Sequence, residues 1–132
     1  MIIGILPDGH IRQIVGTGDP VKAQIMQELG VALEEDLDYY SPRFLTRSKD
    51  IPNVLMYGVA NVEHSRESFN HIASVLWAGD GFIYGEVVLA MADWDDTITA
   101  LGPNEVGRIM QTLEILQKCT GSVEFIEEES NA

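Results

Sequence analysis

Lysine and arginine are scarce in this chain. Eight of them face twenty-one aspartates and glutamates over 132 residues, a formal net charge of −13. Affinity for nucleic acid rests largely on cations that neutralise phosphates, so direct nucleic-acid binding is disfavoured, and anionic membrane surfaces are repelled too. Cysteine is nearly absent. Cys119 stands alone, no disulfide can form within the chain, and a reducing compartment is expected. Long apolar runs are also missing. Met1 to Leu6 lacks a basic flank and is interrupted at Pro7-Asp8-Gly9, unlike a signal peptide. No stretch approaches the roughly 20 apolar residues of a membrane span. These absences predict a cytoplasmic protein.

What is present points to a folded domain. Apolar residues make up 45% of the chain. At this length roughly two-thirds of the unfolded surface can be buried without metals or disulfides. One domain over 1–132 is expected.

Pro7-Asp8-Gly9 between two apolar segments predicts a β-hairpin with a type I turn and a bulge. Asp19-Pro20 suits a helix start, and Val21, Ile25, Met26 and Leu29 share one side of a helix over 20–29. Residues 31–52 read as an irregular excursion with short structured pieces, since Pro42 and Pro52 oppose a long helix. Residues 53–61 read as a central strand, apolar on both faces. A helix is predicted over 64–78, a strand over 82–91 and a helix from Pro103. A short closing strand over 122–126 and a frayed tail over 127–132 complete the reading. The fold class is α+β: a mixed β-sheet of about five strands, an N-terminal hairpin then βαβαβ, with about three helices packed on it.

Motifs that fix a chemistry are lacking. No Gly-x-Ser-x-Gly elbow occurs, and Gly16-Thr17-Gly18-Asp19-Pro20 has neither the glycines nor the Lys-Ser/Thr pair of a nucleotide loop. Cys119, near a helix C-terminus where the dipole disfavours a thiolate, reads as structural. On a helix, His64, Glu67 and His71 would share one side, so Glu67 and His71 are weak metal candidates. Their ordinary reading is a solvated face. Asp93, Asp95 and Asp96 follow a strand and offer oxygen ligands to a divalent ion, but acids there also serve as turn formers and caps. No cofactor is expected.

Two charge clusters remain. Glu34, Glu35, Asp36 and Asp38 run together beside Tyr39 and Tyr40; Arg43, Arg47 and Lys49 follow. The first reading is a non-enzymatic module that engages, and in one form inhibits, a basic protein. Its surface would comprise the acids and tyrosines, joined by Asp93, Asp95 and Asp96. Toxin-neutralising immunity proteins and phage inhibitors of nucleic-acid enzymes share this general character: small, acidic and without catalytic motifs. The second reading is a small-molecule or nucleotide-binding domain, or an enzyme, with an anion site at Arg43, Arg47 and Lys49. Against that site, the same cations could simply pair with the acids just upstream. The third is a self-assembling protein, a homodimer or larger, joined through an exposed last strand.

Overall fold

The computed structural model describes residues 1–15, 21–47, 53–79, 81–93 and 97–120. The hairpin forms as expected: β1 (Ile2–Ile5) and β2 (Ile11–Ile14) pair antiparallel, and Gly9 takes the left-handed turn position at φ 94°. Helix α1 (Val21–Leu29) follows, buries Ile25 completely and ends at Gly30, φ 71°.

Inside the predicted excursion lie a 3₁₀ turn (Glu34–Asp36), strand β3 (Leu37–Tyr40) and a one-turn helix, α2 (Arg43–Thr46). Then come β4 (Val54–Val59), α3 (His71–Trp77), β5 (Val87–Ala92), β6 (Ile98–Thr99) and α4 (Pro103–Thr120). The class is α+β, with four helices on a sheet of order β2-β1-β5-β4-β3, where β6 also pairs β5. Every ladder is antiparallel, so the mixed sheet is corrected in that respect.

The reason lies between β4 and β5. The chain does not run one long helix there and return from the opposite end of the sheet. Asn70 caps α3 by accepting from Ala73 N at 3.0 Å, which postpones the predicted helix start from 64 to 71. After α3, Ala78 turns left-handed at φ 53° and the chain runs back, with Asn70 N donating to Ile83 O at 2.9 Å and Phe69 bridging Tyr84. This second pass returns the chain to the end it left, so β5 enters antiparallel to β4. It also shortens the predicted strand over 82–91, since residues 82–86 precede β5 on the return.

The sheet is apolar on both faces, as the sequence of β4 requires. One face carries Ile3, Ile5, Val54, Met56, Val87 and Leu89 and is covered by α2, α3 and α4. The other carries Ile2, Tyr57, Val88 and Ala90 beneath α1. Four-residue spacing in α4 delivers Ile109 and Leu113 to full burial. Among the described residues three helices cover the first face and a single nine-residue helix the second, and these leave part of the second face open. The predicted turn over 16–20, the closing strand over 122–126 and the tail over 127–132 lie outside the described residues.

Candidate functional site

The open part of the second face is a cleft of about 390 Å³. Its floor is Leu55 and Tyr57 of β4, with Ala92 and Ile98 on one side and Leu37 and Tyr39 of β3 on the other. Lys22 of α1 and Glu34 of the 3₁₀ turn close the wall and pair with each other. Alternation along β3 builds this arrangement. Leu37 and Tyr39 fall on the cleft face, opposite Val59 and Tyr57, while Asp38 and Tyr40 fall on the other. Tyr39 stands 72% exposed at the mouth, and Leu33 is 54% exposed just before the turn.

The predicted acidic surface is thereby resolved residue by residue. Glu34, Glu35, Asp36 and Asp38 are all exposed on the segment that leads into and forms β3. Glu35, Asp36 and Asp38 form no ion pair among the described residues. Tyr40 is turned away, half-buried edge-on to Trp77 with ring centroids 5.2 Å apart. Burial, with Asp38 beside it as a lesser cause, pushes its hydroxyl above the usual tyrosine range. Tyr40 is therefore a packing residue on the opposite face from Tyr39. Asp93 is exposed and directly follows Ala92 of the cleft. Asp95 and Asp96 lie outside the described residues.

The cationic candidates fall elsewhere. Arg43 opens α2, and Arg47, at its end, lies over the Phe44 ring at 4.8 Å. Among the described residues neither pairs with the upstream acids; Glu34 takes Lys22 instead. Lys49 lies outside the described residues.

Glu67 and His71 do not share a helix face, because Glu67 precedes the Asn70 cap. Among the described residues no group of three potential ligands is placed to hold a metal ion. His64 is instead stacked on Tyr84 at 4.2 Å, in a second, more open groove of about 460 Å³ with Ser65, Arg66, Phe69 and Phe82.

One carboxyl group passed unnoticed in the sequence. Glu86 is half-buried, and its Oε2 is fully shielded without a hydrogen-bond partner. It lies over Gly4, 3.5 Å from where a Cβ there would sit. Burial raises its pKa first, nearby Glu28 raises it further, and Arg12 opposes both. Arg12 is itself held by Glu28 at 2.6 Å. This group ties β2 to α1 beneath the sheet edge and does not reach the cleft.

The cleft residues missed in the sequence are Lys22, Leu37, Leu55, Tyr57, Ala92 and Ile98. The signal for Leu37 was the alternation Leu37-Asp38-Tyr39-Tyr40, obscured by the carboxylates around it. The lining is apolar apart from the Lys22–Glu34 pair and the two tyrosines. Such a surface accepts apolar side chains and discriminates by its charged rim. Among the described residues no helix is long and apolar enough to cross a membrane. Compared with protein-family models, with curated proteins and with solved structures, the chain matches none.

Proposed function

We propose that the protein is a binding module for a basic protein, with the β3 cleft as its docking surface. The observation that carries this reading is the coincidence of three features on one short segment. The described residues leave an apolar sheet face part-covered, an exposed tyrosine stands at its mouth, and the exposed acids Glu35, Asp36 and Asp38 of the same segment, with Asp38 on the opposite face of β3, form no ion pair among the described residues. Interface centres are enriched in aromatic anchors and depleted of charge, with polar groups kept to the rim. A net charge of −13 would steer a basic partner toward this rim over distances set by the Debye length. Engagement of this kind would block whatever basic surface is covered, which is how such a module would inhibit its partner.

The test is capture from the host's lysate with three forms of the protein. Wild type and a control carrying Glu63→Gln, Glu67→Gln and Glu114→Gln should retain the same basic protein, and that retention should fall as salt rises. A variant with Glu35→Gln, Asp36→Asn and Asp38→Asn should lose it. Equal retention by all three forms would refute the assignment.

A further inference from the structure

The cleft opens beside β3, and β3 is the last strand of the sheet on that side. The direction of its backbone groups can be assigned. Asp36 O accepts from Ala60 N at 2.8 Å, and Leu37 to Tyr40 stand in register with Val59 to Met56. Hydrogen-bonding direction alternates along an antiparallel ladder. Asp36, Asp38 and Tyr40 therefore bond toward β4, and Leu37 and Tyr39 present their backbone groups outward. The Leu37 N–H closes the 3₁₀ turn on Glu34 O. That leaves the Leu37 C=O, the Tyr39 N–H and the Tyr39 C=O along the outer edge.

Sheet edges are commonly blunted by proline, lysine or a bulge. Leu37-Asp38-Tyr39-Tyr40 contains no proline or lysine and pairs in unbroken register. Its charged residue is Asp38, which repels an acidic or identical strand and attracts a basic one. Side chains on an added strand would alternate in step with those of β3. One set would meet Leu37 and Tyr39 at the cleft, and the other would meet Asp38.

We infer that β3 accepts an extended segment of the partner as an additional strand. Its apolar residues lie beside Tyr39 and over the cleft, and its lysines or arginines alternate with them beside Asp38. This rests on the reading of the cleft as a docking site for a basic protein and adds the geometry of docking. A second copy of the chain is disfavoured at this edge, because two β3 segments would set Asp38 and the neighbouring acids of both copies against one another.

A blocked peptide of alternating lysine and valine serves as the probe, compared with a peptide of the same composition in block order. Binding is read by fluorescence anisotropy. Tyr39→Pro removes the outward N–H and spares the β4 ladder, a position where an edge strand tolerates proline. Tyr39→Ala removes the ring and keeps the N–H. Wild type should bind the alternating peptide about tenfold tighter than the block peptide, and Tyr39→Pro should weaken the alternating peptide roughly tenfold. Circular dichroism checks that each variant is folded. If Tyr39→Pro unfolds, N-methylation of alternate residues in the peptide removes the same hydrogen bonds from the ligand side and should cost as much.

Equal, salt-sensitive affinity for both peptides would overturn strand addition and leave the acidic docking site standing. Unchanged affinity after N-methylation would do the same. Binding of neither peptide would overturn both readings. A dimer in sedimentation that Tyr39→Pro dissolves would assign the edge to a second copy.

Discussion

Two polar side chains show how individual residues hold this fold. Asn70 is completely buried and fully engaged. Its amide donates to Ile5 O at 3.0 Å and Gly85 O at 2.9 Å, and its carbonyl accepts from Ala73 N at 3.0 Å. It thus joins β1, the β5 approach and the start of α3. Asn70→Ala strands two backbone carbonyls and an amide, and is expected to cost roughly 2–4 kcal/mol in urea denaturation. A loss within about 0.5 kcal/mol, the usual range for plain surface positions, would show that water replaces the side chain. Glu86 is the opposite case, a carboxyl with too few partners. Its raised pKa means that the folded state favours the protonated form. The stabilising effect of that proton is complete below the ordinary glutamate pKa and is lost as pH rises through the raised value. At neutral pH the charge is therefore a burden, and Glu86→Gln should raise the melting temperature. The gain should shrink on acidification through the glutamate range. A gain of equal size at both pH values would mean that packing, not charge, is responsible.

At the scale of elements, α4 separates burial from exposure within one turn. Leu113 is fully buried, and Ile115 is 61% exposed. Leu113→Ala should cost about 2–5 kcal/mol and Ile115→Ala less than about 0.5 kcal/mol, read from chemical denaturation midpoints. Similar losses at both positions would mean that α4 packs by another face. Helix α4, the hairpin, α1 and β4 were legible in the sequence because each carries one clear period or turn signal. β3 was not. Its alternation is four residues long and lies within a run of carboxylates that reads as solvated loop. The predicted helix over 64–78 starts late, at His71, for a local reason, since the Asn70 side chain offers the backbone a cap that periodicity does not register. Once α3 was shortened, the direction of β5 followed from a return pass no single residue announces. Of the residues that line the cleft, the sequence singled out Glu34 and Tyr39; Asp38 and Tyr40, grouped with them by proximity in sequence, fall on the opposite face of β3. The apolar lining was invisible because its residues come from β3, β4, β5 and β6, which only the sheet brings together.

The whole molecule carries charge far in excess of what its described ion pairs absorb. Self-repulsion at a net charge of −13 opposes the compact state, and added salt screens it. The melting temperature should therefore rise as sodium chloride is raised from low to physiological strength; a fall would mean that attractive pairs dominate the surface. The same excess charge has two possible arrangements, a recognition rim at β3 or an even coat. NMR shift mapping during titration with the alternating lysine-valine peptide separates them most directly. Shifts concentrated at Leu37, Asp38, Tyr39, Leu55, Tyr57 and Ile98 are the predicted result. Small shifts spread equally over Asp8, Glu63, Glu67, Glu105 and Glu114 would contradict the account.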